Sequence, residues 1–104
     1  MMKARWHVLA QFGHKQEAIS LLKEWRDQIG SQTNIDATGM RMITGSVGAN
    51  EALIEMEFEI ADLDALQQFY DKIGSITMHA DWGKKMGEVV VSGSTRWEVF
   101  RVVG

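Results

Sequence analysis

The chain has 104 residues, of which 45% are hydrophobic and 24% are charged, a composition typical of one globular domain. It contains no cysteine, which excludes disulfides, thiolate catalysis and cysteine-ligated zinc and favours a cytoplasmic location. The formal net charge is −3 with no basic cluster, which argues against nucleic-acid binding. No apolar run approaches the roughly 20 residues of a membrane span. We therefore expect one cytoplasmic domain over residues 1–104.

The first segment of the chain alternates between two sets of side chains, which predicts a β-strand over residues 3–12. One side of this strand carries Ala4, Trp6, Val8, Ala10 and Phe12, and the other carries Arg5, His7, Leu9 and Gln11. After Gly13 the apolar residues recur at the helical period, which predicts a helix over residues 15–29. Gly30 is expected to take the left-handed conformation that often ends such a helix.

Two further strands are predicted in the middle of the chain, joined by a turn. Residues 39–47 form the first strand, and residues 48–50 suit a hairpin turn because glycine and asparagine tolerate positive φ. Residues 51–60 show the clearest alternation in the chain. Their apolar side carries Ala52, Ile54, Met56, Phe58 and Ile60, and their other side carries Glu51, Leu53, Glu55, Glu57 and Glu59.

The last third of the chain predicts two helical segments and a final strand. Asp62 is placed to cap a helix that ends at Gly74. A second helical stretch begins at about residue 78, and one of its faces carries His79, Trp82 and Met86. Residues 89–91 either close this stretch or form a short strand, and residues 95–103 form the last strand.

The predicted order of elements is βαββαβ, which is the ferredoxin-like plait of the α+β class. Right-handed crossovers then give a four-stranded antiparallel sheet in the order 4-1-3-2, with the helices on one face. The last strand is apolar on both sides, because Trp97 and Val99 face one way and Phe100 and Val102 face the other. A sheet with one face in water should alternate cleanly, so we expect a second copy of the chain to cover the open face in a homodimer.

Three segments of this chain resemble the dimeric α/β-barrel superfamily, namely residues 5–9, residues 69–82 and residues 93–99. That group includes antibiotic-biosynthesis monooxygenases, stress-responsive barrel proteins, NIPSNAP-like proteins and small polyketide cyclases. The resemblance covers nearly the whole chain and is mainly one of architecture. It implies a dimeric α/β barrel with a cleft between sheet and helices, framed by a polar residue of the first strand and a histidine after the second helix. His7 and His79 match those positions, with Tyr70 nearby.

The resemblance implies a small hydrophobic or aromatic ligand. If the protein is an enzyme, it implies a cofactor-independent monooxygenase or a polyketide-cyclase-like activity, with no metal and no other cofactor. The candidate catalytic residues are His7, Tyr70 and His79. A histidine titrates near neutrality and suits a general base, whereas a tyrosine hydroxyl can polarise a carbonyl group. The candidate ligand-binding residues are Trp82, Met78, Met86 and Arg5.

Other interpretations stay open. Arg5 and His7 could form ion pairs with Glu55 and Glu57 that only stabilise a non-catalytic dimer. Haem handling would place His79 near the iron. His7, His79 and a glutamate could hold non-haem iron, but no short histidine spacing supports such a site. No phosphate loop, dinucleotide fingerprint or nucleophile elbow occurs.

Overall fold

The structure is a computed structural model that describes all residues 1–104. Its elements in chain order are strand β1 (Met2–Leu9), helix α1 (Lys15–Gln28), strands β2 (Arg41–Thr44) and β3 (Leu53–Ile60), helices α2 (Leu63–Ser75) and α3 (Thr77–Gly87), and strand β4 (Arg96–Arg101). Two short 3-10 turns, Gly30–Gln32 and Ala37–Gly39, connect α1 to β2. None of the helices combines the length and the apolar composition that a membrane span requires.

The four strands form one antiparallel sheet in the order β2-β3-β1-β4. This is the predicted order 4-1-3-2 counted from the opposite edge. The prediction of an α+β, ferredoxin-like fold is therefore confirmed. The two helical segments predicted in the last third of the chain correspond to α2 and α3, so the structure has three helices.

Successive residues of each strand point to opposite faces of the sheet. Ala4 lies directly opposite Phe58 of β3, and Arg5 lies opposite Glu57. The inner face, which packs against the helices, carries Ala4, Trp6 and Val8 of β1. The outer face carries Lys3, Arg5 and His7 of the same strand. The sheet thus separates an apolar side from a charged side, as the alternation in the sequence predicts.

The hydrophobic core lies between the inner face and the helices. Its largest fully buried side chains are Phe69, Leu22, Ile29, Ile54 and Val8. Fully burying one apolar side chain of this size stabilises the fold by about 1.5–3 kcal/mol. The core therefore fixes which side of α1 and α2 faces the sheet, and with it which of their residues reach the space above the sheet.

The start of α2 is capped as predicted. The Asp62 side chain accepts a hydrogen bond from the backbone N–H of Ala65 at 2.9 Å. The predicted helix end at Gly74 is wrong, because Gly74 lies inside α2 and Ile76, with an extended backbone, separates α2 from α3. This single-residue break redirects the chain and places His79 in the first turn of α3.

Two glycines are explained by close contacts. Gly30 does not take the predicted left-handed conformation. A Cβ atom there would lie 3.1 Å from a ring carbon of Trp25, so packing against the indole favours glycine at this position. At Gly45 a Cβ atom would overlap the carbonyl oxygen of Asn50. The chain thus approaches itself closely just after β2, which ends at Thr44, short of the predicted residue 47.

Other predicted boundaries also change. Phe12 is predicted on the apolar side of the first strand but is fully exposed, because β1 ends before it and the chain turns away. Residues 89–91 form no regular strand, although a single bridge joins Val90 to Ala10. The last strand covers Arg96–Arg101, which is shorter than the predicted residues 95–103.

Candidate functional site

A cavity of about 320 Å³ opens between the inner face of the sheet and the helices. Eleven residues line it, and nine of them are hydrophobic. The lining includes all four tryptophans of the chain, namely Trp6, Trp25, Trp82 and Trp97. The other two of the eleven are His79 and Thr95, and Tyr70, which is counted among the nine, adds a polar hydroxyl group. A mostly apolar cavity of this size with a few polar groups is typical of a small-molecule site.

The aromatic side chains of the cavity wall brace one another. The ring of Trp25 lies 6.3 Å from that of Trp82, and the ring of Trp97 lies 5.5 Å from that of Tyr70 in an edge-to-face contact. Both Trp25 and Trp97 also meet the fully buried Phe69 edge to face, at 6.0 and 5.9 Å. Each such contact contributes about 0.5–1.5 kcal/mol beyond the buried area. The walls are therefore preformed, and their faces and edges suit a flat ring.

His79 is held in place by two tryptophans. The indole Nε1 of Trp25 donates a hydrogen bond to Nδ1 of His79 at 3.2 Å. The imidazole ring also stacks on Trp82, with centroids 5.6 Å apart and planes at 20°. Trp82 is itself fixed, since its Nε1 donates to the carbonyl oxygen of Leu21 at 2.6 Å. Burial lowers the pKa of His79, so the imidazole is neutral at neutral pH.

Tyr70 stands at the exposed side of the cavity. It comes from α2, its side chain is 37% exposed, and its ring packs against Trp97. Burial raises the pKa of Tyr70, so its hydroxyl group keeps its proton at neutral pH. A ligand in the cavity would therefore meet a phenol hydroxyl that can donate a hydrogen bond.

The outer face carries a separate network of charges around Glu57. Its carboxylate accepts hydrogen bonds from Nε of Arg5 at 2.8 Å and from Nη2 of Arg41 at 2.6 Å, and Nζ of Lys3 lies 3.9 Å away. Burial raises the pKa of Glu57, but the hydrogen bonds from the two arginines and the charges of Arg41 and Lys3 outweigh it. The pKa is therefore lowered and the carboxylate stays charged.

His7 lies between two carboxylates on the same outer face and is 4% exposed. Its Nδ1 is 3.0 Å from Oε1 of Glu55, and its Nε2 is 2.6 Å from Oε1 of Glu98. Neither contact has the angle of a regular hydrogen bond. Both ring nitrogens are therefore buried without a hydrogen-bond partner, although each lies close to a carboxylate oxygen. The prediction that Glu55 and Glu57 lie close to basic partners is confirmed.

The structure brings together only some of the predicted site residues. Tyr70, His79 and Trp82 line the cavity. The prediction that His7 joins them is wrong, because strand alternation puts His7 and Arg5 on the outer face, away from the helices. The non-haem iron site with His7 and His79 as ligands is also wrong, because the two histidines lie on opposite sides of the sheet. No group of three or more histidine and carboxylate side chains is arranged to hold a metal ion.

The two methionines of the predicted site do not line the cavity either. Met86 is 4% exposed and belongs to the hydrophobic core. Met78 is 38% exposed, and its sulfur accepts a hydrogen bond from Gln32 at 3.8 Å. The methionine of the cavity wall is Met56 of β3, which lies on the apolar side of its strand.

The site predicted from the sequence does not include most of the aromatic residues that line the cavity. In the sequence, Trp25 has the pattern of a helix core residue, and Trp6 and Trp97 have that of strand residues. A signal for the last two exists, because antiparallel pairing of neighbouring strands places Trp6 directly opposite Trp97 on the inner face. No comparable signal exists for Trp25, which meets His79 only through the docking of α3 on α1.

No protein-family profile matches this sequence, and no curated protein is detectably similar to it. Solved structures do share its fold. SnoaB, a cofactor-independent oxygenase from Streptomyces nogalater, superposes with a TM-score of 0.66 at 8% identity, covering 99% of this chain and 93% of that chain. A NIPSNAP domain protein from Burkholderia xenovorans gives 0.75 at 7% identity, covering 99% and 95%. An antibiotic biosynthesis monooxygenase gives 0.66 at 10% identity over the full length of both chains.

These structural neighbours are of the kinds that the sequence resembles, and that prediction is confirmed at the level of the fold. The sequence identities are too low to carry an activity from one protein to another. The function has to be argued from the cavity itself.

Proposed function

We propose that this chain binds a flat aromatic or polyketide-like small molecule in the cavity, as a homodimer in the cytoplasm. The observation that carries the proposal is the gathering of all four tryptophans with Tyr70 and His79 around one cavity. Aromatic walls bury a flat ring on its faces and edges, and two polar groups can fix its orientation. The absence of cysteine supports the cytoplasmic location.

As an enzyme, the protein would be a cofactor-independent monooxygenase or a polyketide-cyclase-like protein. In the first case an activated CH2 group of the substrate is oxidised to C=O by O2, of which one atom becomes the carbonyl oxygen and the other leaves as water, so the substrate supplies the electrons. In the second case an acidic C–H group of the substrate loses its proton to water, the carbanion attacks a carbonyl carbon of the same molecule, and the resulting alkoxide takes up a proton. Both reactions benefit from apolar walls that exclude water and from a hydroxyl such as that of Tyr70, which can stabilise charge on a substrate oxygen. The shared fold of SnoaB supports the oxygenase class.

The outer face supports the homodimer. Phe100 and Val102 are 41% and 46% exposed there, and the guanidinium of Arg5 lies 4.7 Å from the Phe100 ring. His7 and Glu57 are already buried beside them within one chain. A second copy related by a two-fold axis would present the same patch, so the apolar residues would cover each other while the charged groups keep their internal partners.

The proposed ligand site is tested by closing the cavity. Thr95 lines the cavity and is exposed, so Thr95→Trp should fill the space that a ligand ring needs. We expect this change to weaken binding of 2-acetylnaphthalene by about tenfold or more, measured by calorimetry, which corresponds to about 1.4 kcal/mol. Ser92→Trp is the matched control, because Ser92 is exposed and does not line the cavity. Equal affinity in the two variants would refute the site.

A non-catalytic dimer is the second candidate, and the buried charge network around Glu57 and His7 favours it. In that case the outer face serves only assembly, and a ligand bound in the cavity is not turned over. Incubation of an anthrone with the protein in air separates the two candidates, because only an oxygenase speeds the formation of the anthraquinone. Haem handling is tested in parallel, since coordination by His79 would shift the Soret absorption and His79→Phe would remove that shift.

A further inference from the structure

The hydrogen bond between Trp25 and His79 determines which imidazole nitrogen holds the proton. An indole N–H can only donate, so the Nδ1 atom of His79, at 3.2 Å from Nε1 of Trp25, must accept with its lone pair. A proton on Nδ1 would point toward the N–H group of Trp25, and two donors cannot form a hydrogen bond with each other. The neutral ring therefore has its proton on Nε2.

The surroundings of the ring keep it in this state. Trp25 is 6% exposed, so water competes poorly for its N–H group. The stacking on Trp82 fixes the plane of the imidazole, and burial lowers the pKa of His79, which disfavours the doubly protonated ring. Nothing with a negative charge contacts the imidazole to reverse that preference.

We propose that His79 is a fixed hydrogen-bond donor in the cavity and not a general base, and that the cavity selects aromatic ligands that carry an acceptor oxygen. This inference rests on the proposed function, since it names the chemistry that the ligand of the cavity must have. The Nδ1 lone pair is occupied by Trp25, and Nε2 holds the proton that a ligand can accept. Suitable groups are a ketone, a quinone or a deprotonated phenol.

A second polar group of the cavity, the hydroxyl of Tyr70, acts in the same direction. The Tyr70 hydroxyl also keeps its proton at neutral pH, so both Tyr70 and His79 offer hydrogen-bond donors. A site with two donors and no free base stabilises negative charge on an oxygen more readily than it removes a proton from carbon. The expectation from the sequence that His79 serves as the base is therefore replaced by a role as the donor that polarises or holds the ligand oxygen.

The ligand class is tested with a matched pair of probes, 2-acetylnaphthalene and 2-ethylnaphthalene, which have the same ring and nearly the same size. Each neutral hydrogen bond contributes about 0.5–1.5 kcal/mol, or a factor of about 2 to 12, so with donors from both His79 and Tyr70 we expect the acetyl compound to bind about 5- to 150-fold more tightly. His79→Phe should lower this preference by about 2- to 12-fold, the contribution of one hydrogen bond, while the ethyl compound still binds. His79→Gln, which places an amide N–H near the position of Nε2, should restore part of it.

The proton position is read directly from nitrogen-15 NMR of the imidazole at neutral pH, which does not require a ligand. We expect the neutral ring with the proton on Nε2, and a loss of this fixed tautomer in Trp25→Phe. A proton on Nδ1, or a charged ring, would overturn the inference. Equal affinity of the two probes would overturn it while leaving the proposed site intact. If neither probe binds, the proposed function fails and the ligand class fails with it.

Discussion

Replacement of Glu57 by glutamine measures what the outer-face charges contribute to stability. The side chain is 5% exposed and accepts hydrogen bonds from Arg5 and Arg41. Glutamine keeps the shape but loses the charge, and its amide N–H group then faces a guanidinium. A hydrogen bond to a charged group contributes about 1.5–3 kcal/mol. The side chains of Arg5 and Arg41 are 36% and 63% exposed and can recover water, so we expect a loss of about 2 kcal/mol for the pair of bonds together.

Thermal unfolding followed by circular dichroism gives the result. For a chain of this length a loss of about 2 kcal/mol lowers the melting temperature by roughly 8–16 °C. Glu59→Gln is the matched control, because Glu59 is exposed on the same side of β3 and should shift stability by at most about 0.5 kcal/mol. Equal melting temperatures of wild type and Glu57→Gln at pH 7 would show that these ion pairs contribute nothing.

The same variant predicts a pH dependence. The folded pKa of Glu57 lies below its ordinary value of 4.5, because the arginines outweigh the effect of burial. A carboxylate with a lowered folded pKa stabilises the fold above its unfolded pKa, and this stabilisation is lost as the pH falls through the folded pKa. The difference between wild type and Glu57→Gln should therefore be complete above about pH 4.5 and shrink below it. A difference that is constant down to pH 3 would contradict the assignment.

Three further predictions concern the proposed dimer interface and the cavity. Light scattering after size exclusion should show the proposed dimer, of about twice 11.7 kDa, for the wild type and monomers for Phe100→Glu. Phe12→Glu is the control and should stay dimeric, because Phe12 is exposed but lies away from Phe100 and Val102 on the outer face. Tyr70→Phe should weaken binding of 2-acetylnaphthalene by about 2- to 12-fold and leave the melting temperature within a few degrees, because the hydroxyl is at the exposed side. Burial lowers the pKa of His79 below its ordinary value of 6.5. At a pH below 6.5 the unfolded chain therefore binds more protons than the folded chain, and the free energy of unfolding decreases as the pH decreases. In His79→Gln this part of the pH dependence should disappear, and an unchanged profile would refute it.

Much of the fold follows from the sequence because it depends on local periodicity. Alternation in residues 3–12 and 51–60 identifies two central strands, and Asp62 marks the start of α2 through a contact only three residues away. The order of elements, with right-handed crossovers, then leaves essentially one sheet topology. The same alternation already separates His7 from the helices. The expectation that His7 belongs to the cleft came from the family resemblance and conflicted with the strand pattern, and the strand pattern proved correct.

The cavity depends on contacts that no local pattern contains. Trp25 and His79 are 54 residues apart, and their hydrogen bond exists only because α3 docks against α1. In the sequence Trp25 is one more apolar residue of a helical stripe, with no sign that its N–H group points at an imidazole. Whether a buried tryptophan fills the core or lines a cavity depends on how the helices are spaced above the sheet. The sequence alone therefore determined the sheet and its two faces, and only tertiary packing decided where the aromatic residues leave space for a ligand.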